Sequence, residues 1–458
     1  MTTTVGASAG SLPGRLVAGM RRRARQRVDG TRAAADARWG RPGAEQRPVY
    51  LVAPAGHPNH GDEQLLAGWL RYLRHRLPGT PVVVDCHTPG QAAVLHDAEH
   101  PDVVFTDTLW RLAGEHFAAA EAIDFCRRGV SDLGVRPALA SGVDLLRGAA
   151  VVHLIGGGYV NEQWPHHLGV AAGAGEAGRL SGARVVATGQ GLMPSGRVDL
   201  LADALRDFDR VIVRDAESRD LLAETGVPVS LAGDDGWLAL AGADLAVPAD
   251  HPVYSLDPDT CRDLVLCAQS DLVDPVTLAE AMARVVVAWA VPGERMTVVE
   301  SIPGGDRVVW DLLCARARAA TGGDAAGDGG SGNHDDDLGR ALAELDLPAA
   351  RFVPFQELWA TGLPARAGQV WLSTRFHPHL FAAARGASGV AIRTGSDYYD
   401  VKHGSLAAAG SPWALVAAAD LSGAAGVPEM PTSGGFPPAV VASMVVAAEV
   451  MADELYPA

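Results

Sequence analysis

The chain has 458 residues, more than one ordinary hydrophobic core serves, so two domains are expected. Hydrophobic residues make up 48% and charged residues 20%, the balance of a globular protein. A net charge of −16 argues against general nucleic-acid binding, and no apolar run reaches the roughly 18 residues of a membrane span.

The charge is uneven. Residues 1–48 hold ten arginines and three acids, which leaves the rest of the chain near −23. Residues 1–46 read as a basic, flexible leader. Arg21–Arg23 precede a polar stretch rather than an apolar one, unlike a secretion signal. Such a leader suits weak contact with an anionic membrane surface, so the expected location is cytoplasmic, peripheral at the inner face of the membrane. Five cysteines without CxxC spacing read as thiols of a reducing compartment.

From Arg47 the pattern becomes regular. "RPVYLVAPAG" predicts a strand, "GDEQLLAGWLRYLRHRL" a helix and "TPVVVDCH" a strand. Strands follow in "PDVVFTD", "AAVVHLIGGG", "GARVVATGQG", "DRVIVRD" and "VPVSLAGD", with helices over 164–181 and 216–225 among them. This alternation implies a parallel sheet covered on both faces. A proline- and aspartate-rich linker then leads into a second series. Its strands are "DLVLCAQSD", "ERMTVVESIP", "ARFVPF", "QVWLST" and "GVAIRTG". The expected fold is α/β, with two Rossmann-like doubly wound domains facing a central cleft, over 47–245 and 255–405. Residues 322–337, rich in glycine and aspartate, read as a disordered insertion. Residues 406–458, including "SLAAAGSPWALVAAAD", read as helices packing across both domains.

Ligands of such sheets bind beyond the carboxyl ends of the strands, so the candidate residues are those directly after each strand. After the first strand come Asn59, Gly61 and Asp62. Asp62 reads as a helix cap or a proton acceptor. Gly156–Gly158 would expose backbone N–H groups at a helix start, and Gly189–Gly191, with Gln190 between, form a second glycine turn. Arg214, next to Asp215, is either an anion anchor or a partner of its neighbours. Asp234 and Asp235 fall near the domain junction, where they cap a helix or hold the two domains in register. Arg375 and His377 lie two apart at the end of a strand, which predicts a shared face, and Pro378 is expected at the first helical position. Histidine there suits general acid chemistry. Lys402 is the single lysine of the chain.

In order, "NHGDEQL", "LIGGGYVNE", "ATGQGLMP", "VIVRDAESRDLL", "AGDDGWLAL", "STRFHPHLFAAARGASGVAI" and "YYDVKHGSL" resemble the polysaccharide pyruvyl transferase family, over about 50 to 405. The resemblance implies a GT-B-like architecture and transfer of a pyruvyl group from phosphoenolpyruvate to sugar hydroxyls, with a cyclic ketal formed and phosphate released. It implies His377 as general acid, Arg375 and Arg214 as phosphoenolpyruvate anchors and Asp62 as the acceptor-side base. Lys402, Asn59, Gly157, Gly158 and Gln190 are implied as substrate-binding. The partners would be phosphoenolpyruvate and a carbohydrate acceptor, with no nucleic acid, no metal and no cofactor beyond the donor substrate; self-association stays open. Replacing Arg375 by alanine is expected to abolish donor binding and leave the fold intact. Glu63-Gln64 and Ser270-Asp271 depart from the family pattern. The alternatives are a nucleotide-sugar glycosyltransferase of GT-B type and a non-catalytic member binding a glycan or a partner.

Overall fold

A computed structural model describes residues 47–241, 250–270, 273–321, 334–395, 397–423 and 426–457. The basic leader 1–46, Asp271 and residues 322–333 of the expected insertion lie outside the described residues. Residues 334–337, assigned to that insertion, instead open the helix His334–Glu344, which packs on the helix Arg307–Thr321.

Two parallel sheets form the frame. In the first, β1 (Val49–Val52), β2 (Val82–Asp85), β3 (Val103–Thr106), β4 (Val151–Leu154), β5 (Arg184–Gln190), β6 (Arg210–Val213) and β7 (Val229–Leu231) run in the order 3-2-1-4-5-6-7. In the second, β8 (Leu264–Cys267), β9 (Met296–Val299), β10 (Arg351–Val353), β11 (Val370–Ser373), β12 (Ser388–Arg393) and β13 (Ala414–Ala417) run 10-9-8-11-12-13. All strand pairs are parallel. Strands such as VYLV, VVVD and LVLC are fully buried, as β-branched runs covered on both faces should be. This is the expected pair of Rossmann-like α/β domains.

Two segments differ from expectation. Ala414–Ala417 forms the sixth strand of the second sheet rather than part of a helix, because a free edge of β12 is there to pair with it. The final helix is present as Pro438–Leu455 and crosses back to the first domain. There Tyr72 Oη donates to Asp453 at 2.7 Å, and Arg76 Nε donates to the Tyr456 carbonyl at 2.8 Å.

The domains share a core. One buried cluster joins Leu65, Trp69 and Trp237 of the first domain to Trp371 and Phe381 of the second and Val445 of the last helix. Burial on this scale fixes the two sheets against each other, because each buried large side chain contributes about 1.5–3 kcal/mol. Among the described residues no helix is long and apolar enough to cross a membrane, and all five cysteines are free thiols.

Candidate active site

Each sheet reverses its strand order beside a central strand, between β1 and β4 and between β8 and β11. The loops after those four strands converge on one cavity of about 550 Å³. Pro54, His57, Asn59 and Asp62 come from the turn after β1, and Gly158 and Tyr159 from the loop after β4. Gln269 follows β8, and Arg375, Phe376, His377 and Pro378 follow β11. Arg214 and Lys402 complete the wall from the end of β6 and the helix Asp397–Ala408.

The turn after β1 is built by capping. Asn59, not Asp62, is the N-cap of the helix His60–Arg76, because its Oδ1 accepts from the Gly61 N–H. Asp62 lies in the first turn and accepts from Asn59 Nδ2 at 2.8 Å. Burial raises the Asp62 pKa, and the nearby charges of His377, Lys402 and Arg214 work against that rise. Gly61 is there for contact: a Cβ on it would lie 2.0 Å from His377 Nδ1. The departure at Glu63 is structural. Glu63 is fully buried, accepts from the Gly56 N–H at 2.9 Å and pairs with His96 Nε2 at 2.7 Å, and so braces the loop above it.

The strand-to-helix turn after β11 carries the Arg-x-His pair. Arg375 is the N-cap and Phe376 the first helical residue, so Pro378 is two positions inside the helix rather than at its start. The two side chains reach the same cavity through the turn, not through strand alternation. Arg375 Nε donates to Asp306 Oδ2 at 2.7 Å, and its Nη2 pairs with Asp306 Oδ1. Asp306 also accepts from the N–H groups of Ser301 and Ile302 at 2.8 and 3.1 Å. One edge of the guanidinium is therefore fixed by the protein, which sets its orientation in the cavity wall.

His377 faces the first domain. Its Nε2 is 3.4 Å from Asp234 Oδ1. The other oxygen of Asp234 accepts from Arg214 Nη1 at 3.3 Å. Burial acts to raise the Asp234 pKa, but His377 and Arg214 outweigh it and hold the carboxyl at about 2. The Arg214 guanidinium lies over the Phe376 ring, 4.6 Å from its centroid. Asp235 turns the other way. Its Oδ2 accepts from Trp69 Nε1, the Gly156 N–H and Thr188 Oγ1, and burial raises its pKa to about 6.

Of the expected substrate contacts, Asp62, His377, Arg375, Arg214, Lys402, Asn59 and Gly158 line the cavity; Gly157 and Gln190 do not. Gln190 is buried, with Nε2 donating to the carbonyls of Leu154, Ile155 and Thr188. It holds the glycine loop in place from below, and Gly157 bridges to it with a φ of +149°. The three glycines do not open a helix, since the loop runs on to the 3-10 turn Pro165–His167. Among the described residues no cluster of histidine, cysteine or carboxylate could hold a metal ion.

The wall provided by the first domain was not anticipated. His57, His87, His166, His167, Tyr159 and Trp164 line it. His87 packs on Trp110 with ring centroids 3.9 Å apart, and His167 Nδ1 is 3.0 Å from the Tyr159 carbonyl. Burial lowers the pKa of His87 to about 4 and of His167 to about 3. The visible signal was the run Trp164-Pro-His-His167. Asp306, which positions Arg375, gave none.

Residues 59–274 match the family model for polysaccharide pyruvyl transferase. No curated protein matches the chain. Among solved structures, the chain is similar to Anabaena Alr3699/HepE in complex with UDP-glucose, at 13% identity, covering 89% of this chain and 95% of that one, with a TM-score of 0.40. It is similar to Neisseria meningitidis UDP-GlcNAc 2-epimerase bound to UDP-GlcNAc, at 9% identity over 89% and 99% of the two chains, with a TM-score of 0.45. Arabidopsis thaliana UGT89C1 complexed with UDP-L-rhamnose gives 11% identity over 90% and 98%, with a TM-score of 0.45.

Proposed function

We propose that this protein, whose residues 59–274 match the polysaccharide pyruvyl transferase family model, transfers a pyruvyl group from phosphoenolpyruvate to two hydroxyls of a sugar, forming a pyruvate ketal. The observation that carries this reading is the convergence of Arg214, Arg375, Lys402, His377 and Asp62 on one cavity. The donor brings a carboxylate and a phosphate, and arginine and lysine at the cavity wall supply the compensating charge.

His377 is the general acid. It gives a proton to C3 of phosphoenolpyruvate, which leaves an oxocarbenium-like centre at C2. A sugar hydroxyl attacks C2 and loses its proton to Asp62, whose raised pKa makes it a stronger base than an ordinary carboxylate. A second hydroxyl then displaces phosphate from C2 and closes the ketal, its proton leaving with the phosphate. Donor and diol become ketal and inorganic phosphate, with no redox change. Arg375, fixed by Asp306, and Arg214, fixed by Asp234, hold the donor in place with little reorganisation.

The test is a thermal-shift and calorimetric titration with phosphoenolpyruvate beside UDP and GDP, followed by a phosphate-release assay with sugar acceptors. A ligand that binds the native state raises the melting point. The expected result is stabilisation by phosphoenolpyruvate alone, and a His377→Gln variant that keeps this shift but loses turnover. A response to UDP or GDP without one to phosphoenolpyruvate would move the chain to nucleotide-sugar transfer. A His377 variant with unchanged properties would indicate a binding protein.

A further inference from the structure

The aromatic wall of the first domain does not stop at the cavity. Inside, His87 and Trp110 pack together at 3.9 Å, and His167 meets Trp110 edge-on at 5.0 Å. Trp164 stacks on His167 at 6.1 Å with an interplanar angle of 15°. His166 adjoins His167 at 4.3 Å and carries Phe117 on its outer face at 5.2 Å and 25°. Phe117 lies in the turn between the helices Thr108–Ala113 and Ala119–Ser131 and is 76% exposed. A lone exposed phenylalanine is ordinary. One stacked on a ring that itself lines the cavity continues that wall to the surface.

We propose that this track is an extended acceptor subsite that takes an uncharged glycan of at least two pyranose units, with the reacting sugar in the cavity and the next unit on His166 and Phe117. The inference rests on the pyruvyl transfer reading, which it deepens by naming the class of acceptor. Aromatic faces stack on the C–H faces of pyranose rings, and imidazole nitrogens donate to or accept from hydroxyls. His166 itself lines the cavity, so a sugar seated on the track meets its ring. Burial lowers the pKa of His87, His166 and His167, so these three rings are neutral near neutral pH and supply no positive charge to an anionic glycan. The cations of the cavity, Arg214, Arg375 and Lys402, come from other segments.

The experiment compares wild type with Phe117→Ala and Phe117→Trp, using methyl glycosides of glucose, galactose and mannose and the matched di- to tetrasaccharides. Phosphate release with saturating phosphoenolpyruvate gives kcat/KM for each. The ratio of oligosaccharide to monosaccharide kcat/KM should fall about tenfold in Phe117→Ala, the size of one lost aromatic stacking contact, and be kept in Phe117→Trp. An unchanged ratio overturns the proposal. If no acceptor supports turnover, the transfer reading fails separately, and the subsite is judged by titrating the same oligosaccharides against intrinsic tryptophan fluorescence. Binding weakened in Phe117→Ala then upholds the subsite, and equal or absent binding overturns it.

Discussion

Asp234 and His377 face each other across the domain interface, both buried, with Oδ1 and Nε2 3.4 Å apart, while the second oxygen of Asp234 holds Arg214. One carboxylate of the first domain thus orients both a proton donor and an anion anchor. Asp234→Asn keeps the shape and removes the charge. It should lower kcat at neutral pH by about tenfold to a hundredfold, part of the usual contribution of a positioned acid, with a smaller change in KM for phosphoenolpyruvate. Steady-state kinetics across pH would show this. An unchanged kcat would reduce Asp234 to a brace of the turn before the helix Gly236–Ala239, the role its acceptance from the Gly236 N–H already gives it.

Arg375 has a structural duty besides any donor contact, and the expectation that alanine there would spare the fold does not survive its pairing with Asp306. Both side chains are buried. Removing the arginine strands a buried carboxylate, which costs about 3–5 kcal/mol. Arg375→Ala should therefore melt well below wild type, whereas Arg375→Ala/Asp306→Ala should recover part of that stability. Neither should respond to phosphoenolpyruvate. Melting curves with and without the donor separate the two effects, and a single variant as stable as wild type would show the pair to be dispensable.

Gly61 packs directly against His377, with no room for a side chain between them. A Cβ there would overlap the imidazole, so the ring must turn or the helix must shift. Gly61→Ala should cost about 1–3 kcal/mol of stability through overpacking and should depress kcat more than donor affinity. Thermal melts, donor titration and kinetics together check it. Full turnover in a stable Gly61→Ala protein would mean that His377 has no fixed orientation to lose.

The readable parts of this protein are those set by short-range pattern. Runs such as VYLV and VWLS, each followed by a glycine or polar turn, mark strands and the loops that meet at the switch points, and so they locate Asn59, Asp62, Arg375 and His377. Ala414–Ala417 was hidden because a four-residue edge strand among alanines carries no helix-excluding signal. Asp306 stands 69 positions from Arg375, and His87 lies 79 positions before His166. No local periodicity encodes such pairings, which arise only when the parallel sheet brings its loops to one end. Gln190 misled for a related reason: a glycine-flanked polar residue reads the same whether it faces a ligand or supports the loop that does.

Buried histidines dominate the expected pH dependence of stability. Burial lowers the pKa of His60, His153 and His167 to about 3 and of His87, His251 and His403 to about 4. Unfolding returns each to an ordinary value near 6.5, so between about pH 4 and 6.5 the unfolded chain binds more protons than the folded one. The stability these groups contribute is present above about 6.5 and is lost as pH falls toward 4. Four buried carboxylic acids act in the opposite sense. Asp85 is raised to about 7 and Asp235 to about 6, and burial raises Asp62 and Asp306 as well, so they favour the fold at low pH and weaken it as pH rises. His100, His166 and His379 are lowered besides the six histidines already named, so the histidines outnumber the acids, and the melting temperature should climb as pH rises from 4.5 to 6.5 and level off above it. Replacing His153, which faces Tyr456 Oη and Thr188 Oγ1 at 2.9 and 2.8 Å, by glutamine should remove about one proton from the uptake on unfolding and flatten the slope accordingly. Calorimetric melts at several pH values measure both quantities, and a melting temperature that is flat or falls over that range would show that these rings are not held neutral.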